Sequence, residues 1–139
     1  MKRLFIDTNI VIDLLAKREP FYEAAAKLFS LADRKMIQLI VSSLTFANTN
    51  YVLSRFNTPA IARDILTRFK VLVTVADLND KIIELSLGDK TFPDFEDGLQ
   101  YYAALENEAD LFITRNLKDF KSSKIPVITA QTYLTQKRH

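Results

Sequence analysis

The sequence has 139 residues, a formal net charge of +2 and a hydrophobic content of 48%. This length predicts one domain over residues 1–139, with enough apolar side chains for a core. The absence of cysteine excludes disulfides, thiolate-bound zinc and cysteine nucleophiles, and the only histidine is His139, so we expect no histidine base. No apolar run reaches the roughly 18 residues of a membrane span, and Asp7 interrupts the first run too early for a signal peptide. We therefore expect a cytoplasmic protein with no membrane segment.

Short apolar runs alternate with segments in which apolar residues recur at helical spacing. The predicted strands are 4–6, 37–41, 71–75, 111–114 and 127–129. The predicted helices are a short one after the first strand, 21–34, 43–55, one beginning at Pro59, one capped by Asp77 and ending at Leu87, one from Asp94 to about Glu106, and one at the C-terminus. Strands that alternate with helices predict an α/β fold with a parallel sheet and right-handed crossovers.

Polar residues follow several of the predicted strands. Asp7 follows the first strand, Ser42 follows the second, and Thr114, Arg115 and Asn116 end the fourth. The carboxyl ends of parallel strands meet at one edge of the sheet, and that edge is where ligands bind in open α/β sheets. The alternative for Asp7 is that it only caps the following helix.

Acidic residues at the start of the sixth predicted helix have two interpretations. Asp94 and Asp97 are three residues apart and therefore share a helix face. For Asp94 we favour a helix cap. We expect Asp97 to face the same edge as Asp7. Asp119 has an alternative as a loop residue that hydrogen-bonds local backbone.

Charge is distributed unevenly along the chain. Residues 77–110 contain ten acids and two bases, and residues 111–139 contain six bases and one acid. Such runs are usually solvated faces. An acidic centre beside a basic flank is also what a metal-dependent enzyme acting on nucleic acid requires. Converging carboxylates without histidine or cysteine favour Mg²⁺ or Mn²⁺, and such an ion can support phosphodiester hydrolysis.

Other chemistries lack their motifs in this sequence. The two glycines, Gly88 and Gly98, do not open a phosphate-binding loop, which argues against nucleotide binding. Asn9 stands two residues after Asp7, where a phosphatase with an aspartyl nucleophile would have a second aspartate. No Gly-x-Ser-x-Gly elbow is present.

Three motifs, in this order, resemble the PIN-domain family and most closely its small bacterial VapC-type toxins. They are Phe5-Ile-Asp-Thr-Asn9 followed by Asp13, Phe95-Glu-Asp97 leading into a Tyr- and Ala-rich helix, and Ile113-Thr-Arg-Asn-Leu-Lys-Asp-Phe120. The resemblance spans essentially the whole chain. It implies a three-layer α/β/α sandwich with a mainly parallel central sheet, and a Mg²⁺- or Mn²⁺-dependent endoribonuclease that hydrolyses RNA. It also implies an antitoxin protein as partner and a homodimer.

The resemblance also implies roles for individual residues. The expected catalytic residues are Asp7, Asp97, Asn116 and Asp119, of which Asp7 and Asp97 bind the metal. The expected supporting residues are Thr8, Asn9, Asn48, Asp94 and Thr114. Asn116 stands where the family often has a further acid, and Asn48 stands where the family typically has a glutamate.

These two asparagines leave two hypotheses about function. The favoured one is a ribonuclease toxin with one weakly held metal ion, bound mainly by Asp7 and Asp97 with several waters, and slow turnover. The alternative is a PIN module with little or no catalysis that binds RNA or a protein partner. We expect Asn48 to face the same edge as Asp7, and the alternative for it is that it satisfies buried backbone groups.

Overall fold

A computed structural model describes residues 1–136, so the last three residues of the predicted domain, including His139, lie outside the described residues. The strands are β1 (Lys2–Ile6), β2 (Ile37–Ser42), β3 (Val73–Ala76), β4 (Leu111–Ile113) and β5 (Val127–Ile128). They form one sheet in the order β3-β2-β1-β4-β5, and every pairing is parallel. The predicted parallel α/β sheet is confirmed.

In the described chain, two α-helices join each strand to the next from β1 to β4, and one α-helix follows β5. These helices are α1 (Thr8–Leu15), α2 (Tyr22–Asp33), α3 (Ser43–Leu53), α4 (Pro59–Lys70), α5 (Asp80–Gly88), α6 (Phe95–Glu106) and α7 (Ala130–Gln136). Within residues 1–136, none of these helices combines the length and the apolar character needed to cross a membrane.

The two faces of the sheet pack against different helices. Side chains of a strand alternate between its faces, so Leu4 and Ile6 of β1 join an apolar cluster with residues of α1, α2, α4 and α7. Phe5 points the other way and joins a second cluster, with residues of α5 and α6. Both clusters consist of buried residues. The predicted three-layer sandwich is therefore confirmed.

One predicted helix start is wrong. Asp77 does not cap α5, because the Oδ1 atom of Asn79 accepts the Ile82 amide at 2.9 Å and the helix begins at Asp80. The preceding strand also starts two residues later than predicted, at Val73. The reason is that α4 continues to Lys70 and Val71 is its C-cap, so the strand cannot begin before this point.

A short 3₁₀ helix over Leu117–Phe120 was not predicted. Phe120 is buried, and its ring centroid lies 4.4 Å from that of Phe112 on β4. Aromatic pairs of this kind contribute about 0.5–1.5 kcal/mol beyond their burial. This contact fixes the segment that contains Asp119 beside the end of β4.

The sheet register brings two chain segments together at the carboxyl edge. Ile6 of β1 pairs with Ile113 of β4, so Asp7 and Thr114 leave the sheet side by side. The Asp7 amide continues this pairing by donating to the Ile113 carbonyl at 3.0 Å.

Candidate active site

Asp7 is a buried residue that both ends β1 and caps α1. Only 2% of it is exposed. Its Oδ2 atom accepts the Thr114 hydroxyl at 2.7 Å, and its Oδ1 atom accepts the Gln100 side-chain amide at 3.1 Å. The Asn9 amide adds a long capping bond of 3.4 Å to Oδ1. Both interpretations of Asp7, as cap and as edge residue, are therefore correct for its position.

A cavity of about 310 Å³ opens beside Asp7, between α3 and the N-terminal turns of α1 and α6. Four acids line it, namely Asp7, Asp94, Glu96 and Asp97. The predicted supporting residues Thr8, Asn9 and Asn48 line it as well. No lysine or arginine of the described chain is part of this lining. The cavity therefore concentrates negative charge without an internal counter-charge.

Asp97 is the second carboxylate that we expected at this edge, and it shares the cavity with Asp7. Burial is the main reason that the pKa of Asp97 rises from its ordinary value of 3.8 to about 7. Repulsion from Asp94, Asp7, Asp119 and Glu96 raises it further. A cation among these carboxylates would relieve the repulsion, because an opposite charge favours the ionised form of an acid.

Asp94 acts as the N-cap of α6, as we expected. Its Oδ1 atom accepts the Glu96 amide at 2.8 Å. This cap fixes the first turn of α6, so that Asp97 lies at the cavity. The negative charges of this turn also suit the positive end of the helix dipole.

Asn48 faces the cavity from the second turn of α3, as predicted. Its Nδ2 atom donates to Glu96 Oε1 at 3.0 Å. The alternative, in which Asn48 satisfies buried backbone groups, is wrong, because its hydrogen bond joins two side chains at the cavity. Glu96 of α6 therefore lies beside the side-chain amide of Asn48 on α3.

Asn116 and Asp119 lie near this cavity but outside its lining. Asn116 donates its backbone amide to the Thr114 hydroxyl at 3.0 Å, so it contacts the site through Thr114. Asp119 is close enough to raise the pKa of Asp97. The Asp119 carboxylate does not bond local backbone in the described chain, and its own amide donates to the Asn116 carbonyl at 3.0 Å.

Sequence reasoning missed three residues of this region: Thr45, Glu96 and Gln100. Gln100 is 5% exposed and bonds both Asp7 and the Thr8 amide. The hydroxyls of Thr45 and Thr8 share a hydrogen bond of 2.8 Å. Helical spacing could have identified Gln100, since it lies three residues after Asp97 and therefore on the same face of α6.

A second buried carboxylate, Asp13, lies at the other end of α1 and is 1% exposed. Arg18 binds its Oδ1 atom at 3.1 Å, and Arg115 binds Oδ2 at 2.8 Å through Nε and Oδ1 at 3.1 Å through Nη2. The Arg115 guanidinium also lies 3.8 Å from the ring centroid of Phe21. Asp13 lines a larger cavity of about 750 Å³ beside α2 and α7. That cavity is lined by two acids, Asp13 and Glu23, together with lysine and arginine side chains, so we do not regard it as the candidate site.

The donor set of the smaller cavity fits a hard divalent cation. Its side chains offer oxygen ligands, and within residues 1–136 no lysine or arginine of its lining neutralises its carboxylates. Among residues 1–136, no three His, Cys, Asp or Glu side chains converge closely enough to hold an ion by themselves. Mg²⁺ usually keeps several waters and binds proteins through one or two carboxylates. The pair of Asp7 and Asp97 meets that requirement.

Comparison with known proteins gives a family match over most of the chain. A family model described as PIN domain matches residues 3–118. Ribonuclease VapC1 of Aquifex aeolicus (strain VF5) is 29% identical over 136 residues, which cover 95% of this chain and 93% of that protein.

Solved structures share the fold at lower identity. VapBC-1 from nontypeable Haemophilus influenzae has a TM-score of 0.69 and 20% identity, covering 93% of this chain and 98% of that one. A toxin–antitoxin complex from Klebsiella pneumoniae has a TM-score of 0.68 and 23% identity, covering 91% of this chain and 97% of that one. At these identities the likeness shows the fold.

Proposed function

Because this chain belongs to the PIN domain family, we propose that it is a metal-dependent endoribonuclease and the toxin of a toxin–antitoxin pair. The observation that carries the proposal is the cavity that Asp7 and Asp97 both line, to which residues 1–136 contribute no cationic side chain. Ribonuclease VapC1, similar over nearly the whole length of both chains, supports the choice of RNA as substrate.

We assign the metal, Mg²⁺ or Mn²⁺, to Asp7 and Asp97. When bound, such an ion neutralises charge on a phosphodiester and lowers the pKa of a water ligand. Thr114 orients the Asp7 carboxylate through Oδ2. Asp97 binds a proton up to about neutral pH, so protons compete with the cation for this side chain. Asn48 orients Glu96 and adds an uncharged amide oxygen to the same cavity.

Exposed basic residues of the segment after β4 suit the RNA backbone. Lys118, Lys121 and Lys124 are exposed and follow β4, close to Asp119. Phosphate contacts of this kind position a nucleic acid without reading its sequence. Arg115 of the same segment forms an ion pair with Asp13. We assign Asn116 and Asp119 to the border between these basic residues and the metal site.

The partners in our proposal are an antitoxin protein and a second copy of the chain. The antitoxin covers the acidic cavity and inserts a basic side chain among the carboxylates. VapBC-1 and the Klebsiella pneumoniae complex support this choice by their similar folds. The mass of the purified chain in solution tests for the second copy. Co-purification with the product of a small neighbouring gene tests for the antitoxin. A monomer at high concentration without such a gene would contradict them.

One observation favours a second candidate function. The described chain has no group of three converging acids, and Asn48 and Asn116 are uncharged. A PIN module that binds RNA or a protein partner with little or no catalysis would need no such group. In that case the Asp7 side chain contributes to binding rather than to bond cleavage.

RNA cleavage by the purified chain tests the proposal. Structured RNAs are incubated with Mg²⁺ or Mn²⁺ and, separately, with EDTA, using the wild-type chain and Asp7→Ala. Asp33→Ala, which changes an exposed aspartate of α2, is the control. We expect metal-dependent cleavage by the wild type and the control, and none by Asp7→Ala. RNA binding without cleavage in any metal would favour the second candidate.

A further inference from the structure

Gln100 is a buried side chain whose two polar ends both contact the site. Its Nε2 atom donates to Asp7 Oδ1 at 3.1 Å. Its Oε1 atom accepts the Thr8 amide at 3.0 Å and lies 3.4 Å from the Thr8 hydroxyl. On these contacts we propose that Gln100 is a positioning residue that fixes the orientation of the Asp7 carboxylate for metal binding. The inference rests on the proposed function.

The orientation of the Gln100 amide is determined by the backbone. The Thr8 amide can only donate, so it requires the oxygen of Gln100. The nitrogen of the same amide group must then face Asp7, and it donates to Oδ1. A glutamine in this setting cannot reverse without losing both hydrogen bonds.

Thr114 completes the arrangement on the other oxygen. Its hydroxyl accepts the Asn116 amide at 3.0 Å, so the hydroxyl proton is available for Asp7 Oδ2 at 2.7 Å. Each carboxylate oxygen of Asp7 thus receives a neutral donor. These donors fix the plane of the carboxylate without cancelling its charge. A metal ligand needs this combination of fixed orientation and retained charge.

Gln100 also couples the two carboxylates that we assign to the metal. It lies three residues after Asp97 on α6, so both side chains occupy one face of that helix. The bonds from Gln100 to Asp7 and Thr8 join this face to the start of α1. The separation between Asp7 and Asp97 therefore depends on Gln100.

A pair of glutamine variants tests the inference. Gln100→Met keeps the approximate length of the side chain and removes both hydrogen bonds. Gln38→Met is the matched control, because Gln38 also uses both ends of its amide, accepting from Arg3 at 2.9 Å and donating to Thr74 at 2.9 Å. Gln38 lies on β2 opposite Arg3, at the far end of the sheet from Asp7. Gln100→Leu removes the same bonds but packs differently. It replaces Gln100→Met in the test if the methionine variant does not fold.

The readouts are Mn²⁺ affinity by calorimetric titration, thermal stability, and kcat and KM for RNA cleavage. We expect Gln100→Met to weaken Mn²⁺ binding by about 10–100-fold, the range for residues that orient metal ligands. Gln38→Met should bind Mn²⁺ like the wild type, even with a similar loss of stability. Equal affinity in the two variants would overturn the inference while leaving the proposed function intact. A wild type that binds no Mn²⁺ would overturn both.

Discussion

Two buried aspartates of α1 have opposite electrostatic surroundings. Asp13, at the last turn, is bound by the guanidinium groups of Arg18 and Arg115. Asp7, at the cap, receives hydrogen bonds only from neutral groups, and no ion pair involving it occurs within residues 1–136. Both side chains are almost fully inaccessible, with exposures of 1% and 2%. Burial alone therefore does not identify a functional acid.

The difference distinguishes a charge that stabilises the fold from a charge that we assign to metal binding. The charge of Asp13 is neutralised within the fold, and it joins α1 to the segment after β4. The charge of Asp7 is stabilised by dipoles and stays available to an external cation. Mutation of Asp13 and mutation of Asp7 should therefore have different effects.

The largest effect should come from removing the charge of Asp13. Asp13→Asn leaves two arginines without their partner. Because water reaches both guanidinium groups, we expect a cost of about 3 kcal/mol, the lower end of the range for a broken buried ion pair. We expect a loss of this size in the free energy of unfolding, measured by urea denaturation. Mn²⁺ affinity of the folded protein should stay unchanged. A variant with wild-type stability and weakened metal binding would reverse the roles in the comparison.

Asp7→Asn should affect metal binding more than stability. The amide keeps an oxygen but loses the charge, so we expect Mn²⁺ affinity and RNA cleavage to fall by about 100-fold, equivalent to ~2.7 kcal/mol. The free energy of unfolding should fall by about 1–2 kcal/mol, because the new amide nitrogen faces one of the two donors of Asp7 and a buried hydrogen bond is lost. This loss is smaller than that of Asp13→Asn, because no ion pair of the described chain is broken. Calorimetric titration and urea denaturation on the same samples check both parts. A stability loss equal to that of Asp13→Asn would remove the distinction.

Asp97 should make the stability of the protein depend on pH, because burial and, to a smaller extent, the neighbouring carboxylates raise its pKa to about 7. A carboxyl whose pKa rises to about 7 on folding binds its proton more tightly in the folded chain than in the unfolded one. The stability gained from this proton is complete below about pH 4 and is lost as the pH rises to about 7. Without metal, Asp97→Asn should flatten this slope. It should also stabilise the protein at pH 8 by about 1–2 kcal/mol, because water screens a half-buried group.

Urea denaturation from pH 4 to 8 measures the slope. The exposed aspartate variant Asp33→Asn is the control and should keep the slope of the wild type. An unchanged slope in Asp97→Asn would mean that Asp97 does not bind this proton.

Adding charge to the cavity should have the smallest effect. One further unit charge about 4 Å from a cation in water contributes about 1 kcal/mol, so we expect Asn48→Asp to tighten Mn²⁺ binding roughly fivefold. Asn50→Asp, on the exposed side of the same helix, is the control. Calorimetric titration compares the two variants. Equal affinities would show that Asn48 does not belong to the metal site.

Local sequence signals were sufficient for the sheet and for the main acids. Asp7 was identifiable because an apolar strand ends in it, and Asp97 because it stands one turn into a capped helix. The order of the strands positions both, and the parallel pairing of β1 with β4 adds Thr114. The roles of these residues in chemistry stay predictions, since their positions alone do not test them.

Other features depended on contacts between distant segments. Aspartate and asparagine are both good helix caps, so the sequence did not distinguish Asp77 from Asn79. The location of Asp119 depends on the burial of Phe120 against Phe112. Helical spacing places Gln100 on the same face of α6 as Asp97, but its bond to Asp7 joins residues 93 positions apart. Such pairings are properties of the folded chain and have no local signal.

The hydrogen bonds of Asp7 also determine when the site can form during synthesis. Its partners Gln100 and Thr114 lie 93 and 107 residues further along the chain. Contacts of such long sequence separation require a long loop to close, which costs chain entropy and slows folding. On the ribosome, a nascent chain that ends before β4 lacks one donor to Asp7 and the neighbouring strand of β1. The chain therefore remains without an assembled site until most of it has been translated.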